Sequence, residues 1–121
     1  MANTFKVVNF AAEPASSGTP YVMYTAASST TTVVLGLILS NIHTSQVTAT
    51  VRLVSDTASR GGTGSTANGT SVIVKDAPIP VGGSLELMAG NKVVLETTDT
   101  ITVNSDTNNS IDASLTIMEI T

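Results

Sequence analysis

Alternation of apolar and polar residues at every second position is the feature that most constrains how this chain can fold. Residues 46–55 and 111–120 show it most clearly. Because successive side chains of a strand point to opposite faces, this pattern predicts strands with one buried face. The composition agrees, since 20 of the 121 residues are threonine, and Thr, Val and Ile carry β-branched side chains that fit a pleated sheet better than a helix.

Similar short runs occur along most of the chain, separated by turn residues roughly every 8–12 positions, and no stretch has helical periodicity. The predicted strands are Thr4–Phe10, Tyr21–Ala26, Thr31–Ile42, Gln46–Ser55, Ser71–Lys75, Ser84–Met88, Lys92–Glu96, Thr100–Ser105 and Ile111–Ile120. Eight to nine short antiparallel strands of this kind predict an all-β protein, a single-domain β-sandwich or jelly-roll-like fold.

Thr31–Ile42 and Gln46–Ser55 are separated by a short turn, which predicts a β-hairpin. In the first of these strands both faces are apolar near the middle, so we expect a central strand that is covered on both sides. Its two predicted faces carry Val33, Leu35, Leu37 and Leu39 on one side and Val34, Gly36, Ile38 and Ser40 on the other.

The length fits one domain. Residues 1–20 are interpreted as an N-terminal arm, or as a first strand and a loop, and residues 21–121 as the sandwich domain. Residues 56–70 contain four glycines among small polar residues. Because such a segment has too few apolar side chains to join a core, it predicts an exposed Gly-rich loop.

Composition excludes several functions. The chain has no cysteine, which excludes disulfide scaffolds, zinc–thiolate sites and thiol catalysis. Five basic residues against nine acidic ones leave no basic patch for nucleic acid. The longest apolar stretch, Val33–Leu39, is far shorter than the roughly 20 residues of a membrane span. The first residues lack a signal-peptide pattern, so we expect a protein made in the cytoplasm that does not contact membranes.

Catalytic and metal-binding signals are weak. The single histidine, His43, lies in a predicted turn, and the glycines of residues 61–69 lack the motif and the following helix of a phosphate site. Residues 104–112 alternate oxygen-bearing side chains as a calcium loop does. However, Asn109 replaces the turn glycine and Leu115 the closing glutamate, so a strand-to-strand turn is favoured.

Two carboxylate pairs, Glu86 with Glu96 and Asp99 with Asp112, lie on neighbouring predicted elements as a glycosidase would require. Sugar sites usually also display stacking aromatic rings, and the only aromatic residues here lie near the N-terminus, where core packing explains them better. They are Phe5, Phe10, Tyr21 and Tyr24. We therefore expect no enzyme and no cofactor, and a carbohydrate-binding β-sandwich module remains an alternative.

The second half of the chain carries a resemblance. The runs VIVKDAPIPVGGSL (Val72–Leu85), GNKVVLE (Gly90–Glu96) and DTITV (Asp99–Val103) resemble small β-sandwich structural proteins of tailed-bacteriophage virions. These include capsid decoration (cement) proteins and neck or tail adaptors. The resemblance covers residues 21–121 and carries no catalytic residues with it.

The resemblance implies a virion protein made in the bacterial host cytoplasm, most simply a capsid decoration protein that stabilises the shell. Its partners would be the major capsid protein and copies of itself, by analogy as a trimer. A neck, tail or fibre-base component is the alternative. The N-terminal segment 1–20 and the loop 56–70 are the candidate contact elements, because both are poorly self-structuring and could pair with a neighbour's strand. The candidate contact residues are Phe5, Lys6, Phe10, Tyr21, Arg60, Gly61, Gly62 and Asn68.

Overall fold

The structure, a computed structural model, describes residues 2–55, 69–88 and 92–121. These residues form nine antiparallel strands and no helix, so the all-β prediction is confirmed. The strands are β1 (Asn3–Glu13), β2 (Tyr21–Thr25), β3 (Thr31–Asn41), β4 (Val47–Val54), β5 (Thr70–Ile79), β6 (Ser84–Leu87), β7 (Val93–Leu95), β8 (Thr100–Ser105) and β9 (Ile111–Ile120).

The strands form two sheets that enclose one core. Sheet A has the order β1-β9-β3-β6, with β7 also paired to β3, and sheet B has the order β2-β8-β4-β5. The buried apolar side chains come from both sheets and include no aromatic residue. The most deeply buried side chains are therefore non-aromatic, with Phe10, Tyr21 and Tyr24 partly buried against them. The architecture is consistent with a β-sandwich.

Strict alternation predicts the core positions of two strands correctly. On β9, Ile111, Ala113, Leu115 and Ile117 are buried, and on β4 the buried apolar residues are Val47, Ala49 and Val51. The bounds of β8 and β9 are those predicted. A regular period of two therefore identifies the buried face where a strand has no irregularity.

Strand β3 has a bulge that the alternation does not show. Val34 pairs with Ile117 and Gly36 pairs with Thr116, so Leu35 is an extra residue on β3. An extra residue shifts all later side chains to the opposite face. As a result Val34 and Leu37 both lie in the core, and the prediction that Val33, Leu35, Leu37 and Leu39 share one face is wrong. The described residues also leave the other face of β3 partly open, since Ile38 is exposed.

The predicted hairpin between the third and fourth strands is wrong. β3 pairs with β9, β6 and β7 in sheet A, whereas β4 pairs with β5 and β8 in sheet B. The short turn at residues 42–46 therefore carries the chain across the core from one sheet to the other. Both strands have an apolar face, and they bury these faces against each other rather than lying side by side.

Asn41 holds this crossover in place. Its side-chain amide donates hydrogen bonds to the carbonyls of Ser45 and Ile79, both at 2.9 Å, and its Oδ1 accepts one from the backbone amide of His43 at 2.7 Å. The residue is buried. One side chain thus bonds its own turn and the end of β5 in the opposite sheet, which fixes the position of the crossover between the two sheets.

A second crossover connects β5 in sheet B to β6 in sheet A through residues 80–83. The backbone amide of Gly83 donates to the carbonyl of Pro80 at 2.9 Å, and Gly82 has a φ of +73°. This positive φ at the third position of a turn suits glycine. The two prolines and two glycines of residues 77–83 therefore form the extended segment and turn that the sequence predicts.

Residues 2–20 contain β1 and a loop. β1 is longer than predicted and pairs with β9 from Asn3 to Glu13, with an irregularity after Phe10. Of the predicted Gly-rich loop 56–70, residues 56–68 lie outside the described residues, and its last residue, Thr70, is already the first residue of β5. Next to them, the backbone amide of Ser55 donates to the carbonyl of Gly69 at 2.8 Å.

We expect Asn41→Ala to lower the free energy of unfolding by about 2–3 kcal/mol, because the buried carbonyl of Ile79 loses a donor. Urea unfolding of the variant checks this. Thr44→Ala is the matched control: it changes an exposed residue of the same turn and should alter stability by less than about 0.5 kcal/mol. Equal effects of the two substitutions would contradict the role assigned to Asn41.

Candidate functional site

The outer face of sheet A carries a continuous row of apolar side chains, here called the apolar row. Phe5 pairs with Met118, Met118 also pairs with Val33, and Val33 pairs with Val94. The row thus crosses β1, β9, β3 and β7. Its two ends are the most open, with 70% of Phe5 and 52% of Val94 exposed.

A shallow depression of about 280 Å³ lies beside the apolar row, above β3 and β6. Gly36 forms part of its floor, and a Cβ at Gly36 would meet no atom within 4 Å. Leu35 and Ile38 supply apolar walls, and Glu86 and Thr116 supply polar ones. The bulge at Leu35 and the absence of a side chain at Gly36 therefore produce this depression in the surface of the sheet.

The outer face of sheet B is more polar. Its central strands β4 and β8 place Thr48, Thr50, Arg52, Thr102 and Asn104 on this side, each one position out of phase with the core residues, and Thr50 and Thr102 are themselves buried. Two exposed valines of this sheet, Val22 on β2 and Val72 on β5, are separated by Thr102 and Arg52 in the cross-strand order. Sheet A therefore carries an uninterrupted cross-strand run of apolar side chains, whereas the corresponding run on sheet B is interrupted by polar ones.

The structure separates the candidate contact residues of the N-terminal segment. Phe5 lies in the apolar row and Lys6 forms an ion pair with Glu119 at 2.7 Å. Phe10 on β1 packs against Tyr21 on β2, with ring centroids 4.8 Å apart. Phe10 and Tyr21 thus contact each other between the two sheets, which leaves less of either ring available to a partner. Arg60, Gly61, Gly62 and Asn68 lie outside the described residues.

Tyr24 connects the two sheets through its hydroxyl group. The hydroxyl donates to Glu119 on β9 and lies 2.9 Å from the Thr32 hydroxyl on β3. Burial, followed by the hydrogen bond to Glu119, raises the pKa of Tyr24. The Lys6 ammonium group, followed by the Tyr24 hydroxyl, lowers the pKa of Glu119. Tyr24 makes these hydrogen bonds and Tyr21 packs against Phe10. Neither therefore offers the fully exposed ring on which a carbohydrate-binding module would depend.

The oxygen-rich residues 104–112 bind the loop that follows β1. The carbonyl of Ser105 accepts from the amide of Gly18 at 3.0 Å, and the side chain of Asn108 accepts from the amide of Ser17. Asp112 accepts from the amide of Ala12 at 2.8 Å. These groups therefore accept hydrogen bonds from backbone amides in the last part of β1 and in the loop that follows it.

The same stretch is also bonded internally and to β4. The hydroxyls of Ser105 and Ser110 lie 3.1 Å apart, and the Ser110 hydroxyl donates to the carbonyl of Thr107 at 2.8 Å. The Asp106 carboxylate accepts from the amide of Thr48 at 3.0 Å. That hydrogen bond is the main reason that the pKa of Asp106 lies below its usual value.

A polar cleft lies next to this loop, lined in part by Thr50, Asp76, Asn104 and Asp106. Asp76 and Thr50 bond each other, since the amide of Asp76 donates to the Thr50 hydroxyl at 2.9 Å. The Oδ1 atom of Asn104 is buried there with no hydrogen-bond partner. Across the described ranges, no three His, Asp or Glu side chains form a group that could hold a metal ion.

Other candidate groups are dispersed. His43 lies in the crossover turn, where its backbone amide donates to the Asn41 side chain. Asp99 bonds the amide of Glu96 in its own turn at 3.1 Å, whereas Asp112 bonds Ala12, so this carboxylate pair is occupied by backbone amides. In the part of the chain that the structure describes, no helix is long and apolar enough to cross a membrane.

Sequence reasoning named Phe5 but missed the rest of the apolar row. Met118, Val33 and Val94 lie on three strands that are distant in the sequence, and only the sheet order makes them neighbours. The sequence does indicate such a surface in one way. Both faces of β3 are apolar, which predicts that another part of the protein or a partner packs on the second face. No element of the described chain provides that cover.

The chain matches no protein-family model, no curated protein and no solved structure.

We expect the hydrogen bond to Asp106 to stabilise the fold above the usual aspartate pKa of about 4 and to be lost as the pH falls through the lowered pKa of the folded state. Asp106→Asn should therefore be less stable than the wild type at pH 7, by up to about 1 kcal/mol because the site is exposed. The difference between the two proteins should shrink as the pH falls from about 4 through the lowered pKa of Asp106, because the carboxylate is then protonated. Urea unfolding from pH 7 to pH 2 measures this, and a pH-independent difference would contradict it.

Proposed function

We propose that this chain is a non-enzymatic structural protein of a tailed-phage virion, a capsid decoration protein that binds the outer surface of the shell and stabilises it. The observation that carries the proposal is the apolar row on the outer face of sheet A. Soluble monomers rarely expose large contiguous apolar patches, and a patch of this kind is typical of a surface that contacts a partner.

The geometry fits a protein that functions by adhesion. The row is displayed by strands of one sheet, and that sheet is held by an aliphatic core and by crossovers fixed at Asn41 and Gly83. A rigid surface loses little conformational entropy when it binds. Many copies that each make a modest contact with neighbouring capsid subunits would hold the shell through their combined effect.

The resemblance of Val72–Val103 to phage virion proteins supplies the biological setting. In the structure its described parts fall on β5, β6, β7 and β8, which belong to both sheets. A pattern shared with such proteins would therefore specify the sandwich scaffold rather than one pocket. This supports a structural role and leaves the position within the particle to be measured.

The proposal predicts hundreds of copies of this chain in each particle of the phage or induced prophage that encodes it. Quantitative mass spectrometry of purified particles, with the major capsid protein as reference, gives the number. Tens of copies or fewer would favour a neck, tail or fibre-base component. Particles without the chain would overturn the virion proposal.

If the apolar row binds the shell, Val33→Thr combined with Val94→Thr should weaken co-sedimentation with particles that lack the chain by about tenfold. The reason is that two methyl groups that binding would bury are replaced by hydroxyls. Threonine keeps the β-branched shape, so the sheet should be retained.

Val72→Thr is the matched control for this experiment. It makes the same chemical change on the outer face of sheet B, where 49% of Val72 is exposed, and it should leave co-sedimentation unchanged. A larger loss with Val72→Thr than with the double variant would place the binding surface on sheet B and contradict the assignment to the apolar row.

A further inference from the structure

Strand β1 has an unpaired edge. It pairs with β9 on one side, and no other strand of the described chain pairs with it. The backbone amide and carbonyl of Ala2 exchange hydrogen bonds with Thr121, at 3.2 and 3.0 Å. Because bonding directions alternate along an antiparallel strand, the even-numbered residues from Ala2 to Phe10 face β9. The amides and carbonyls of Asn3, Phe5, Val7 and Asn9 therefore point to the free edge.

The other described edges carry more features that obstruct strand addition than β1 does. β5 contains Pro78, an Asp76 with φ of 49° and two register shifts. β2, β6 and β7 are short, and β2 is also irregular between Val22 and Tyr24. Irregularity, proline, short length and charged side chains are the usual protections of sheet edges. β1 is regular from Asn3 to Phe10 and contains no proline, so that its one protection in this part is the charged Lys6.

The exposed side chains of this edge form a self-complementary pattern. The residues whose amides and carbonyls point to the free edge are also those whose side chains lie on the outer face of sheet A. In chain order they are Asn3, Phe5, Val7 and Asn9. The order is polar, apolar, apolar, polar in both directions along the strand. Phe5 and Val7 are 70% and 59% exposed. An identical strand running antiparallel can thus match polar with polar and apolar with apolar.

We infer that β1 pairs antiparallel with β1 of a second copy, about a twofold axis at Lys6. Phe5 then lies opposite Val7 of the second copy, and Asn3 lies opposite Asn9. About eight backbone hydrogen bonds join the two strands. A shift by one residue would place these side chains on opposite faces, and a shift by two would set Asn3 against Val7.

Lys6 lies opposite Lys6 of the second copy in this register. Like charges directly opposite each other destabilise a strand pair. Each ammonium group already forms an ion pair with Glu119 of its own chain at 2.7 Å. The repulsion between the two Lys6 residues at the axis is therefore reduced. The two sheets A then form one continuous sheet, and the two apolar rows become neighbours on one surface.

This inference deepens the proposed function, because it gives the chain a pair of shell-binding surfaces, but it concerns a second copy of this chain and does not require a virion. The paired state would be a dimer, in contrast to the trimer that the resemblance implies. A solution dimer of a chain that is absent from particles would overturn only the proposed function. A decoration protein that is monomeric in solution would overturn only the present inference.

Sedimentation equilibrium of the full chain should show a dimer, and Val7→Pro should make it monomeric. Proline removes an amide that points to the free edge, a position where sheets accept it. Val7→Thr, which keeps that amide and the β-branched shape, is the matched control and should remain a dimer. A wild-type monomer, a trimer, or a dimer that Val7→Pro does not dissociate would overturn the inference.

Cysteine cross-linking tests the register independently of the folding of Val7→Pro, since the chain contains no cysteine. The paired Lys6 residues would have their Cα atoms about 4.5 Å apart, within the range of a disulfide. Oxidised Lys6→Cys should therefore migrate as a covalent dimer. Thr4→Cys is the control: its two copies would lie about 14 Å apart along the strands and should remain uncross-linked. Cross-linking of Thr4→Cys in preference to Lys6→Cys would overturn the pairing about Lys6.

Discussion

Burial of aliphatic side chains between two sheets is the interaction on which the rest of this structure depends. β3 and β9 supply Val34, Leu37, Leu115 and Ile117 from one side, and β4 and β8 supply Val51 and Val103 from the other. Each fully buried side chain of this kind contributes about 1.5–3 kcal/mol. The aromatic rings of Phe10, Tyr21 and Tyr24 are only partly buried against this core. The bulge at Leu35 brings both Val34 and Leu37 of β3 into it. The same bulge places Leu35 and Gly36 at the depression beside the apolar row.

Where the chain leaves the sheets, polar side chains take over the backbone groups that the sheets no longer satisfy. Asn41 does this at one crossover and Asn108 in the loop after β1. Asp112 and Asp106 do it near the ends of two strands, for the amides of Ala12 and Thr48. A buried amide or carbonyl without a partner is costly. The abundance of Asn, Asp and Ser near residues 104–112 is thus explained by hydrogen bonding within the fold, whereas the surface that the fold leaves without an internal role is the apolar face of sheet A.

The sequence predicts individual strands well and their neighbours poorly. β8 and β9 have the predicted bounds because alternation is a local property of the chain. Whether two consecutive strands pair side by side or face each other across the core depends on all strands together, and so the predicted hairpin of β3 and β4 is wrong. For the same reason Phe5 could be named as a candidate contact, while Met118, Val33 and Val94 could not. Residue spacing also gives no sign of the extra residue at Leu35, which only the pairing with β9 shows.

The position of β9 has a consequence for how the chain folds. It is the last strand in the sequence, yet it lies between β1, the first strand, and β3. Sheet A therefore cannot be completed until residues 111–120 have left the ribosome. The partner strand of β1 lies about a hundred residues away in the sequence. Contacts of such long sequence separation lose much chain entropy before they are made, which slows folding. Before β9 is available, β3 can already pair with β6 and β7, whereas β1 has no partner strand in the described sheet.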